Sequence, residues 1–178
     1  MPKDPMLRCR RRAPALAGAV SALLSFTCGV FAPAPAQELS PPLELATFPR
    51  TELQITHRES NHAARKYPFK VWVADTPARA QQGLMFVRDL PETMGMVFPL
   101  RPPRVETMWM KNTYIELDLL FVGADGRVTK IIERAHPLSL DTLSSDSPVT
   151  AVVELRGGEV ARLGLRAGDT VAWKQPAP

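Results

Sequence analysis

Hydrophobic residues in this chain come in short bursts, separated by polar stretches rich in glycine and proline. Leu53-Gln54-Ile55-Thr56 and Phe69-Lys70-Val71-Trp72-Val73 read as strands, the second alternating loosely as if one face packed on a core. Between them runs a polar loop with His57, Asn61 and His62. Thr76 then offers a helix cap and Pro77 suits the first helical position, so a short helix is expected to about Leu84, with Gly83 as its terminator. Residues 96–98 and 107–110 predict two further strands, separated by Arg101-Pro102-Pro103-Arg104. Residues 117–122 and 127–132 flank Gly123-Ala124-Asp125-Gly126, a hairpin signal because Asp and Gly tolerate the left-handed turn conformation. A strand at 151–155, a short amphipathic stretch after Gly157-Gly158 and a last strand at 170–173 complete the pattern. Many short strands with two short helices predict a mainly β (α+β) fold, a small barrel-like or sandwich domain.

The first residues follow a different logic. Lys3, Arg8, Arg10, Arg11 and Arg12 form a positive head, an Ala/Leu/Val/Phe run spans 13–32, and Ala34-Pro35-Ala36 supplies small residues for cleavage. The run is too rich in alanine and too often broken by Gly, Ser and Thr to favour a lasting membrane anchor. A lipid anchor on Cys28 or a twin-arginine signal fits the flanking residues poorly. The expected organisation is a signal peptide at 1–36, cut after Ala36, a proline-bearing linker at 37–50, one β-rich domain at 51–174 and a tail at 175–178. The expected location is the periplasm or the exterior of the cell.

Cleavage changes the charge and redox reading. Five of the 22 Lys and Arg and one of the 18 Asp and Glu lie in residues 1–36, which leaves 17 of each sign and no net charge. The basic balance therefore belongs to the export signal and gives no reason to expect nucleic acid. Cys9 and Cys28 leave with the signal, so the mature chain has no disulfide and no cysteine nucleophile.

Several short patterns combine: Gly83-Leu84-Met85, Gly95-Met96-Val97-Phe98, Trp109-Met110-Lys111-Asn112-Thr113, Leu117-Asp118, Asp125-Gly126-Arg127-Val128, and Val153-Glu154-Leu155 with Gly158. Together they resemble the uncharacterised family called domain of unknown function 192, over about residues 53–173. The resemblance implies a compact, mostly β domain, often exported in bacteria, and brings no settled activity, cofactor or partner. None of the three histidines falls on its motifs.

Asn112, Thr113 and Asp118 lie in or beside the apolar stretch from Tyr114 to Phe121, where a carboxylate costs several kcal/mol unless paired. One reading places them at the mouth of a barrel, bonding a small polar ligand, with Trp109 and Lys111 on one strand face beside them. In the other, Asp118 accepts backbone amides or pairs with an arginine, and Asn112 closes a turn. Met94, Met96, Met108 and Met110, with Met85, form a cluster that suits core packing and is a weak candidate for Cu(I). Asp118 with Glu154 or Glu133 would make a carboxylate pair for glycoside hydrolysis if their separation allowed it. His57, His62 and His136 match no standard zinc spacing and read as solvated loop residues.

The chain is thus expected to be an exported, monomeric module, more a binder than an enzyme. It would recognise a small molecule or an envelope protein through Trp109, Lys111, Asn112, Thr113 and Asp118, with no cofactor. A hydrolase acting on envelope carbohydrate and a methionine-based Cu(I) protein are the alternatives.

Overall fold

The computed structural model describes residues 41–59 and 63–174. The expected signal segment, both cysteines, His62 and the tail after Lys174 lie outside the described residues.

Strands β1 (Arg50–Arg58) and β2 (Ala64–Val73) form an antiparallel hairpin in which Leu53 faces Phe69. Helix α1 (Pro77–Gln82) carries the chain to β3 (Met94–Arg104), which lies parallel to β2. Local chemistry sets the helix: Thr76 accepts the Arg79 amide at 3.3 Å, Pro77 opens the first turn, and Gly83 ends it at φ 52°.

After the short β4 (Thr107–Met108) come the hairpin β5 (Leu117–Val122) and β6 (Val128–Ala135), then β7 (Leu143–Ser144), which pairs with β4 as a two-stranded ribbon. β8 (Val149–Arg156) runs antiparallel between β3 and β5, helix α2 (Glu159–Leu163) follows, and β9 (Thr170–Trp173) pairs with β1. The seven-stranded order is β6-β5-β8-β3-β2-β1-β9.

The two edge strands meet at one corner. Thr170 bridges Arg127, and the amides of Val128, Gly168 and Val171 bond to Asp169, Val128 and Gly126 across it, each at 2.8 Å. The sheet is therefore curled, as a twisted sheet of this size tends to be, and stays sandwich-like without closing into a barrel along its length. One face gathers Leu53, Ile55, Val71, Val97, Val153 and Leu155. The other gathers Trp72, Met96, Phe98, Leu119, Phe121 and Val152, covered by Phe48, Leu84, Leu90 and Met110. A strand buried on both faces explains why 117–122 reads as an apolar run broken only by Asp118.

Four local readings change. β3 runs through Arg101-Pro102-Pro103-Arg104, because its pairing with β8 slips between Pro99 and Arg104, where missing amide donors cost no ladder bond. The strand expected at 107–110 ends at Met108. Within the stretch read as a linker, Leu45–Thr47 form a 3-10 turn and Phe48 enters the core. His57 is no solvated loop residue: it lies in β1, buried, with Nδ1 2.9 and 3.0 Å from the two oxygens of the buried Asp169. His136 is exposed, as expected of a loop histidine.

Candidate functional site

The chief cleft measures about 850 Å3. α1 and residues 83–85 form one wall, residues 98–101 of β3 the base, and residues 107–109 with Thr113 the facing wall. Glu154 of β8 lies at its floor.

Register explains how a glutamate comes to be there. Glu154 pairs with Met96 on one side and Leu119 on the other, both without exposed surface, so the three side chains share one apolar face. Glu154 is 4% exposed and its Oε2 has no hydrogen-bond partner. Burial pushes its carboxyl from an ordinary 4.5 up to about 8, so it is a protonated acid at neutral pH.

Two glycines make room for this arrangement. A Cβ on Gly95 would lie 2.4 Å from the Glu154 carbonyl oxygen, so β3 and β8 approach closely only because that side chain is missing. A Cβ on Gly83 would lie 3.2 Å from Phe98 Cζ and 3.9 Å from Glu154 Oε2, which would fill the space beside the acid.

Of the five residues proposed from sequence, two line the cleft. Trp109 stands at its rim, 48% exposed, and Thr113 is buried in the wall. Lys111 lies outside any strand, in the turn after Trp109, yet its Nζ sits 5.3 Å from the centre of the Trp109 ring. Asn112 stands behind the wall. In the left-handed region at φ 56°, it accepts the Phe86 amide on its carbonyl at 2.9 Å and reaches Met85 Sδ at 3.9 Å with Nδ2.

Asp118 does not join the site. It pairs with Leu155, which turns it to the face opposite Glu154. Its oxygens accept the amides of Arg134 and Val160, each at 2.8 Å. The ladder between β5 and β6 slips beside it, and Arg134 takes φ 46°, so Asp118 satisfies an amide displaced by a bulge and one from the first turn of α2. The opposed faces also remove the Asp118–Glu154 pair required for glycoside hydrolysis, and Glu133 is exposed on β6.

Met96 and Met110 are buried, with Met94 and Met108 packed against the same cluster, as gap-filling thioethers are. Among the described residues no group of His, Cys, Asp and Glu is arranged to hold a metal ion. A second, more polar cleft is spanned by ion pairs such as Arg134–Glu116 and Arg162–Glu159, so much of its charge is satisfied internally.

Glu154 was visible in the sequence by the same signal as Asp118, a carboxylate inside an apolar strand. What the pattern omits is which of the two finds internal partners.

Fold and cleft together define a small, mainly β domain with a cleft of mixed polarity and a buried acid at its floor. The chain belongs to the uncharacterised family DUF192, whose model matches residues 58–173. Solved structures resemble it, two of them as follows. A transcription-regulator candidate from Sinorhizobium meliloti 1021 shares 35% identity over 71% of this chain and 95% of its own, with a TM-score of 0.66. A protein of unknown function from Novosphingobium aromaticivorans DSM 12444 shares 38% identity over 68% of this chain and 84% of its own, with a TM-score of 0.63. Comparison with curated proteins yields no match.

Proposed function

We propose that this domain is a ligand-binding module, and that its site is the cleft floored by Glu154 and rimmed by Trp109. The observation that carries the reading is the buried carboxyl whose Oε2 has no partner. Such a group costs stability, and an apolar residue of similar size would avoid the cost. Features that weaken a fold and leave polar groups unsatisfied concentrate at functional sites. Volume supports the same reading, since about 850 Å3 falls in the range of small-molecule sites.

The N-terminal pattern supports export, so the module would work in the periplasm or outside the cell, after cleavage behind Ala36. Sequencing the N-terminus of the protein recovered from the cell envelope fraction should give Gln37 as the first residue. Recovery from the cytoplasm with residues 1–36 attached would overturn this placement.

Binding is tested by a fragment screen followed by amide shifts in NMR. Hits are expected to move residues 83–85, Thr113 and Glu154, to quench Trp109 fluorescence, and to bind Glu154→Gln at least about tenfold more weakly. Hits that map elsewhere, or that bind Glu154→Gln as well as the native protein, would sink the assignment.

A further inference from the structure

We infer that the group recognised at the cleft floor is a primary ammonium carried on an apolar body. This inference rests on the cleft being a binding site and names the chemistry of its ligand.

Four observations converge. Glu154 Oε2 has no partner, and its strand neighbours Met96 and Leu119 offer no donor, which leaves the position open to a donor carried by a ligand. Gly83 and the Phe98 ring close in beside that oxygen, a Cβ at Gly83 lying 3.2 Å from Phe98 Cζ and 3.9 Å from Oε2, so the approach is narrow and admits only a slim head group. The surrounding walls include the Phe98 ring and the thioethers of Met85 and Met108, with Trp109 at the rim. Aromatic faces attract cations, and the polarizable sulfurs accommodate the alkyl body behind one.

The fourth observation is the distribution of charge. β3 and β5 present only Met96, Phe98 and Leu119 to the acid, and Gly83 follows α1 with no side chain at all. The charged lining groups are Asp75, Arg101, Arg104 and Glu106. Arg104 pairs with Glu106 at 2.7 Å and Asp75 with Arg79 at 2.6 Å. Burial is the cause that raises the Glu154 carboxyl. A neutral donor would add one hydrogen bond there. An ammonium adds the attraction of opposite charges in a medium of low polarity, set against the cost of desolvating both ions and of ionising the acid.

Proton balance gives the inference a signature. The free protein holds Glu154 as the neutral acid, and the bound state is an ammonium against a carboxylate, so the carboxyl proton passes to solvent. With free Glu154 titrating at about 8, binding at pH 6 should release close to one proton per ligand. Apparent affinity should rise by roughly tenfold per pH unit from pH 5 to 7.5 and level off above pH 8.

The test uses the purified protein with n-pentylammonium chloride, and with 1-pentanol and pentanoate as comparators of equal length. Calorimetry in two buffers of different ionisation enthalpy reads the proton release, and the Glu154 side-chain carboxyl 13C shift reads its ionisation. Pentylammonium is expected to bind at least tenfold tighter than either comparator, to release a proton at pH 6, and to lose at least tenfold in affinity on Glu154→Gln. In the native protein it should drive the Glu154 carboxyl toward the ionised shift at pH 6, a readout that needs no variant to fold. Equal binding of 1-pentanol without proton release would overturn the ammonium while leaving the cleft as a site. Loss of binding by all three compounds would overturn the ammonium as well, and the fragment screen would then decide the cleft separately.

Discussion

Two carboxylates, each set in an apolar strand, illustrate how much depends on a single step along the backbone. Asp118 and Glu154 lie on adjacent strands, one residue out of register, and so face opposite sides of the sheet. Asp118 accepts two main-chain amides and is a structural clasp, whereas Glu154 Oε2 accepts none. Asp118→Ala should strand both amides in the interior and cost about 3–5 kcal/mol in denaturant unfolding, with no effect specific to ligands. Glu154→Gln should act the other way. The unfolded chain loses the Glu154 proton near 4.5 and the folded one keeps it to about 8, so the folded state holds the extra proton across that window. Unfolding free energy from this group is therefore fullest below 4.5 and falls as pH rises toward 8, by an amount on the order of a few kcal/mol. Denaturation curves at pH 5 and pH 8 should show that decline in the native protein and a much flatter response in Glu154→Gln. A native protein as stable at pH 8 as at pH 5 would contradict the assigned burial.

At the scale of elements, local signals were legible where local chemistry decides. The hairpin at 123–126, the Thr76 cap with Pro77 and Gly83, and the strands at 117–122 and 170–173 all stand where the residue pattern puts them. β3 outran its expected end because β8, far along the chain, holds it extended, and β1 extended to include His57 because the hairpin with β2 pairs His57 with Arg65. Gly95 is the element-scale determinant of the cleft floor. Its missing Cβ lets β3 lie against β8 at the level of Glu154. Gly95→Ala should push the strands apart and cost about 2–4 kcal/mol, with the β3–β8 amides losing hydrogen-exchange protection before those of β5 and β6. Uniform loss of protection across the sheet would show that Gly95 has no such local role.

For the whole molecule, curling of the sheet is secured at the corner where β9 meets the start of β6. Asp169 is central to it. Its carbonyl accepts the Val128 amide, and its carboxylate holds His57 Nδ1 and the Arg166 amide. Asp169→Ala should cost about 2–4 kcal/mol, and exchange should quicken first at Val128, Gly168 and Val171, the amides that bridge the corner. Unchanged protection there would mean that the corner is held by packing alone.

By itself the sequence determined the mainly β class, the family resemblance, most element positions, and the presence of carboxylates in apolar strands that need an explanation. Those features follow from short-range rules: side-chain period, turn chemistry and helix caps. Only the tertiary structure decided which carboxylate is satisfied, that Trp109 and Thr113 line a cleft while Asn112 buttresses it, and that His57 is a buried partner of Asp169. The reason is physical. Strand register and sheet curvature bring together residues far apart in the chain, and a shift of one residue in that register moves a side chain from one face to the other.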